Sequence, residues 1–196
     1  MCRLLESIYV NEGQFRNLPL HQARINRSAQ ALFKQPLPWT LNSILMQANK
    51  PSNGLYKARL VYSKEEVNVT FIPYQTKHIA TLKLVEAKIN YAHKYEDRSV
   101  LNEALNKREG CDDVIIIQNG AVTDSTYSNL IFKKDNRWFT PTTFLLAGTM
   151  RNHLLSEGKI FETKIRMDDL HQYESCKLIN AMLGFGAPEI PITAIR

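Results

Sequence analysis

Apolar and polar residues alternate through "LESIYV", break at "NEG" and resume in "QFRNL", which predicts two strands joined by a turn. The apolar spacing then lengthens. In "LHQARINRSAQALF" it places Ile25, Ala29, Leu32 and Phe33 on one side of a helix. "QPLPW" ends that helix, and "TLNSILMQA" predicts a short one that opens on a threonine cap. After the loop "PSNG", "LYKARLVYS" and "VNVTFIPY" alternate around "KEE" and predict a second hairpin. Together these elements predict a small α+β domain over residues 1–84.

"EAKINYAHK" has neither clear period, so residues 85–92 read as a linker, followed by a larger α/β domain over 93–196. That domain opens with the helix "YEDRSVLNEALNKREG", with Gly110 in the position just past its end. In "VIIIQNGAVTD", Asn119-Gly120 is the strongest short hairpin signal in the chain. "NLIFKKDNRWFTP" predicts another hairpin, and "AGTMRNHLLSEG" a loop entering a short helix closed by Gly158. "IFETKIRM" reads as a strand, "MDDLHQYES" as a helical turn, and "CKLINAMLGFGAPEIPI" as a buried strand with a Gly/Pro-rich exit. No repeats or low-complexity segments interrupt this order.

Composition narrows the function class. The chain has 196 residues, 44% hydrophobic and 22% charged, ordinary for a soluble globular protein. No apolar run reaches the ~20 residues that span a bilayer, and Glu6 spoils the N-terminus as a signal peptide, so no membrane association is expected. Cys2, Cys111 and Cys176 have neither disulfide-framework nor zinc spacing and point to a reducing cytoplasm with no metal site. The net charge of +6 suits an anionic small molecule. The Lys and Arg residues are scattered and no nucleic-acid motif is present, so no nucleic-acid partner is expected.

Four features could carry chemistry. Lys94, in "YAHKYEDR", lies where the linker meets the second domain, and partial desolvation would make its amine a nucleophile suited to Schiff-base chemistry. Its ordinary role there would be a solvated surface charge. Arg24, on the first helix, either points to water or grips an oxyanion with its planar fork. Gly148 precedes a helix whose first amides, those of Thr149 and Met150, could face an anion. Asp124, at a strand end, either bonds nearby backbone or meets a protonated heterocyclic nitrogen. Together the four match what pyridoxal 5'-phosphate requires: a lysine, two phosphate anchors and a carboxylate that keeps the pyridine ring protonated.

In order and local sequence the chain resembles the class IV aminotransferases, the fold-type IV pyridoxal-phosphate enzymes, and among them the aminodeoxychorismate lyases. "LLESIYVNEGQFRNLPLHQARINRSAQALF" is similar to the family's "FE(T)…V…G…LxxHxxRLxxSA", and "HKYEDR" to the lyases' "KHLNR". "DDVIIIQNGAVTDSTYSNLIF" resembles "DEALLLDxxGxVTExxxxNLF", and "FTPTTFLLAGTMR" resembles "TPxLxxxxLxGITR". "KLINAML" looks more like the lyases' "VICNALM" than the aminotransferases' "FxTGTAA". The resemblance implies a two-domain α+β fold like that of D-amino acid aminotransferase, N-terminally shortened, with the cofactor between the domains and two copies forming a homodimer. It implies that Lys94 is the cofactor lysine and proton shuttle, that Arg24 with the Thr149 and Met150 amides holds the phosphate, and that Asp124 pairs with the ring nitrogen. Asn180 and Ala181 would line the pocket, and Arg98 would meet an anionic substrate.

The departures are specific. Of the family's "DRGxxYGDGxFE" loop only "LLES", with Glu6, is present. Asp124 is one methylene shorter than the family's glutamate, a deficit of about 1 Å that a shift or a bridging water would close. Met150 replaces a threonine, and Ser99 stands where aminotransferases have a tyrosine. The resemblance implies a 4-amino-4-deoxychorismate lyase forming 4-aminobenzoate and pyruvate for folate synthesis. A branched-chain or D-amino acid aminotransferase is the alternative, and a non-catalytic relic of the fold is a third.

Overall fold

In the computed structural model, which describes residues 2–196, β1 (Leu4–Asn11) buries Leu4, Glu6, Ile8 and Val10 fully on one face, with Leu5 buried on the other. It is joined by β2 (Gln14–Phe15), α1 (Leu18–Phe33), α2 (Leu41–Gln47), β3 (Leu55–Tyr62) and β4 (Val67–Pro73). The four strands form one antiparallel sheet in the order β2-β1-β3-β4. Ile25 of α1 and Leu41 and Leu45 of α2 pack on the sheet face carrying Leu4, Ile8, Ala58 and Leu60. Thr40 caps α2 through a reciprocal capping box with Ser43, as its position predicts. The strand predicted in "QFRNL" shrinks to two residues, because Asn17 turns the chain at φ 58° and a proline in the first turn of α1 starts the helix.

The second sheet is larger. It contains β5 (Leu82–Glu86), β6 (Asp113–Gln118), β7 (Ala121–Ser125), β8 (Asn129–Lys134), β9 (Arg137–Pro141), β10 (Phe161–Thr163), β11 (Ser175–Ile179) and β12 (Ile190–Pro191). The main path runs β10-β9-β8-β7-β6-β5, with β11 paired to β8 and β12 to β11. Among the described residues two α-helices, α3 (Ser99–Asn106) and α4 (Thr149–Ser156), and two short 3-10 helices, Met167–Gln172 and Ile192–Ala194, complete it. Phe132, Leu130 and Ile115 belong to one core, and Ile131, Met150 and Leu154 to another; the alternation along β8 supplies both. The Asn119-Gly120 turn is a two-residue hairpin with both residues at positive φ, and Asp135-Asn136 makes a second of the same kind.

The chain divides into two units, residues 1–76 with 93–97, and residues 77–92 with 98–196. This differs from the boundaries expected at 84 and 93. Residues 82–86 form β5, which pairs in parallel with β6, so the expected linker belongs to the larger unit. Residues 93–97 instead return to β1 in the smaller unit, with Tyr95 bridging Leu4. That pairing delays the start of α3 to Ser99, and Gly110 lies in a turn beyond the helix rather than at its end. β10 is likewise shorter than predicted, at three residues. Among the described residues no helix is long and apolar enough to cross a membrane.

Candidate functional site

In the smaller unit, α1 places His21 and Arg24 three residues apart, on the side that faces β1. Arg24 donates from Nε to Glu6 Oε1 at 2.8 Å and from Nη2 to Glu6 Oε2 at 2.5 Å, a two-pronged ion pair. His21 Nδ1 lies 2.6 Å from Glu6 Oε2. Burial alone would raise the Glu6 pKa, but the Arg24 charge and the hydrogen bonds from Arg24 and His21 outweigh it and hold the carboxyl at about 2. Tyr62, from β3, stands beside this group; burial and then the Glu6 charge push its phenol above the usual tyrosine range. Arg24 is therefore neither solvated nor isolated: one edge of its fork belongs to Glu6.

Lys94 is half-buried and is held through its backbone. The Leu5 N–H donates to the Lys94 carbonyl at 2.8 Å, and Glu96 N–H donates to the Arg3 carbonyl at 3.0 Å. These bonds add residues 93–97 to the edge of β1 left uncovered by the short β2. Arg3 and Arg59 both pair with Glu96 and reinforce the junction. The two residues predicted in this unit thus share one mount, Leu5 holding Lys94 and Glu6 holding Arg24.

In the larger unit, a β-bulge aims Asp124. Between the pairs Ile117↔Val122 and Ile115↔Ser125, β6 contributes Ile116 alone while β7 contributes both Thr123 and Asp124. Thr123 Oγ1 donates to the Ile116 carbonyl at 2.7 Å and pins the extra residue. Asp124 Oδ2 accepts the Leu145 and Leu146 amides, each at 3.0 Å, and Oδ1 accepts Asn129 Nδ2 at 2.8 Å. Burial raises the Asp124 pKa to about 6, against the lowering effect of the Leu146 amide, Asn129, the Leu145 amide and the Arg151 charge. A carboxylate offers about four acceptor positions, so Oδ1 can take one more N–H donor. That open acceptor position suits the N–H of a pyridinium.

The same cluster fixes the start of α4. Asn129 Nδ2 also donates to the Leu146 carbonyl at 2.9 Å, and a Cβ added at Gly148 would collide with Asn129 Oδ1. Only glycine lets the backbone come this close before Thr149 and Met150, which are both buried. Asp124 and the helix start chosen from the sequence therefore meet through Asn129. Arg98 Nη2 donates to the Thr126 carbonyl at 2.8 Å, and Thr126 Oγ1 donates to Asp113 Oδ1 at 2.7 Å, so Arg98 braces the loop after Asp124. Asn180 closes its own turn: Oδ1 accepts the Met182 and Leu183 amides and Nδ2 donates to Ser128 Oγ at 2.8 Å, with Ala181 inside that turn.

Several participants were not foreseen. His21 and Glu6 carry no functional reading in the sequence; an i,i+3 His/Arg pair opposite a carboxylate at a core position of β1 was the available signal. The Leu145 and Leu146 amides and the bulge depend on tertiary pairing and leave no side-chain signature. Arg151, 3% exposed, bonds Pro141 O and Glu162 and lies over the Phe144 ring.

Residues 3–193 match the model of the family described as amino-transferase class IV. A crystal structure of a provisionally named 4-amino-4-deoxychorismate lyase from Haemophilus somnus is 38% identical with a TM-score of 0.89, covering 94% of this chain and 98% of that one. A provisionally named aminodeoxychorismate lyase of Schizosaccharomyces pombe is 28% identical over 190 residues, covering 87% of this chain and 82% of the relative. At 18% identity, a hypothetical aminotransferase from Mycobacterium tuberculosis in its pyridoxal-phosphate-bound form shares the fold, with a TM-score of 0.77 over 96% of this chain and 80% of that one.

Proposed function

We propose a lyase activity for this chain, which belongs to the class IV aminotransferase family: the release of pyruvate from 4-amino-4-deoxychorismate to give 4-aminobenzoate. The observation that carries this reading is the near full-length likeness to the Haemophilus somnus protein named for that activity. Pyridoxal 5'-phosphate, when bound, supplies an electron sink for the carbanion.

The chain's own residues then have distinct tasks. Lys94 provides the amine that anchors the cofactor and afterwards removes the ring proton of the substrate. Asp124, oriented by Asn129 and two backbone amides, accepts the N–H of the pyridine ring and keeps it charged. Arg24, one edge fixed by Glu6, and the Thr149 and Met150 amides hold the phosphate. Arg98 and the turn at Asn180 and Ala181 shape the substrate side. Departure of the enolpyruvyl group as pyruvate leaves an aromatic ring, which drives the reaction forward.

The test is incubation with 4-amino-4-deoxychorismate and pyridoxal phosphate in the absence of any amino acceptor. Equal amounts of 4-aminobenzoate and pyruvate are expected. Conversion of 2-oxoglutarate to glutamate with an amino-acid donor, without 4-aminobenzoate formation, would replace this reading with the aminotransferase one.

A further inference from the structure

His93 precedes Lys94 and is tied to α1. Its Nδ1 lies 3.1 Å from the hydroxyl of Ser28, which is 3% exposed. Ser28 also neighbours the Tyr62 phenol, whose surroundings include Glu6 and Arg24. Polar groups thus neighbour one another from His93 through Ser28 and Tyr62 to the Glu6–Arg24 pair, all within one unit. On the other side of Lys94, Tyr95 packs into the core beneath α1, and its ring meets His93 edge-on with centroids 6.0 Å apart.

The strand pairing gives this chain a consequence. The Leu4↔Tyr95 bridge sets Lys94 opposite Leu5. The Tyr95 N–H also donates to the His93 carbonyl at 2.9 Å, so Lys94 is the middle residue of a tight three-residue turn. His93, held by Ser28, and Tyr95, packed into the core, grip the two ends of that turn and so fix the direction in which its middle residue projects. Burial lowers the His93 pKa, so the imidazole is neutral near pH 7 and its Nδ1 can donate to or accept from Ser28.

We propose that His93, through its contact with Ser28, is a positioning residue that fixes the direction of the Lys94 amine. The proposal rests on the reading of Lys94 as the cofactor lysine and adds a residue pair that sets its orientation. His93 needs only its Nδ1 side for this task, which separates positioning from proton transfer through Nε2. Asparagine places an amide close to where Nδ1 lies, and can keep the Ser28 contact while lacking Nε2.

The experiment mixes the full chain with pyridoxal phosphate, quenches with borohydride over time, and measures by peptide mass spectrometry how fast each lysine is labelled. Wild type, His93→Ala, His93→Asn and Ser28→Ala are compared. Lys94 labelling is expected to slow about tenfold in His93→Ala and Ser28→Ala, and to recover to within about threefold of wild type in His93→Asn, while other lysines label as before. Wild-type rates at Lys94 in both alanine variants would overturn the proposal, as would a His93→Asn variant as slow as His93→Ala. Amide exchange at Leu5, whose N–H holds the Lys94 carbonyl, gives a second readout without cofactor. It should rise about tenfold in both alanine variants, and unchanged exchange overturns the proposal even if no pyridoxal phosphate binds. Absence of label at Lys94 in wild type, with Leu5 exchange responding as expected, would instead remove the cofactor reading and leave the anchoring in place.

Discussion

Asn129 Oδ1 occupies the space that a side chain at Gly148 would need. The same asparagine donates to Asp124 and to the Leu146 carbonyl. One side chain therefore sets both the carboxylate and the backbone that opens α4. Gly148→Ala should destabilise the protein by about 1–3 kcal/mol through this collision, read by thermal or urea unfolding. Because the clash is with Asn129, the double variant Asn129→Ala/Gly148→Ala should lose less than the sum of the single losses. Additive losses would mean that the two positions do not contact each other in solution.

Glu6 gives a pH prediction. Its folded-state pKa of about 2 lies below the unfolded value, so its contribution is present above about pH 4.5 and is lost as pH falls toward 2. Glu6→Gln leaves the Arg24 guanidinium without its counter-charge and should cost about 3–5 kcal/mol near neutrality. The gap between wild type and Glu6→Gln should close on acidification from pH 5 to pH 2. A gap independent of pH would show that the charge of Glu6 contributes nothing.

Asp124 has the opposite sign. Its folded-state pKa of about 6 lies above the ordinary aspartate value of 3.8, so the folded protein binds the proton more tightly than the unfolded chain. The protein without cofactor should lose stability as pH rises from about 4 to about 6, by an amount on the order of 3 kcal/mol, and should change no further through this group above that. Asp124→Asn should remove this slope. Against wild type at pH 4 it should cost about 1–3 kcal/mol, since an amide replaces the acid that meets the Leu145 and Leu146 amides, and that gap should shrink as pH rises to 6. The comparison needs denaturant curves at pH 4, 5, 6 and 7.

Arg98 braces the loop after Asp124 through the Thr126 carbonyl. Arg98→Ala should therefore reduce turnover of 4-amino-4-deoxychorismate by about tenfold or more while leaving pyridoxal phosphate bound, as judged by absorbance. Full turnover in this variant would remove Arg98 from the substrate side altogether.

The parts of the structure set by local chemistry were legible in the sequence. Asn119-Gly120 announced its hairpin because two adjacent positive φ angles suit few other pairs. Thr40 announced α2, and the spacing of Ile25 and Ala29 announced α1. The pairing of residues 93–97 with β1 was not legible, because the segment has no period of its own and is held in place by Arg3, Leu4 and Leu5. For the same reason, 82–86 read as the edge of a linker although it is a strand against β6. At the candidate site, Asp124 could be chosen from its place after a hairpin, but its aim came from a bulge that only the register of β6 against β7 reveals. Arg24 could be chosen as an oxyanion binder, but its engagement with Glu6 depends on α1 packing over β1.

The central claim is that Lys94 carries pyridoxal phosphate, and one comparison tests it directly. Purified wild type and Lys94→Ala are each given pyridoxal phosphate, their near-visible spectra are recorded, and borohydride is added. Wild type should turn yellow and retain one covalent label on the peptide containing Lys94 after reduction, while Lys94→Ala should give neither the colour nor that label. A colourless wild-type protein, or a spectrum unchanged by Lys94→Ala, would contradict the account.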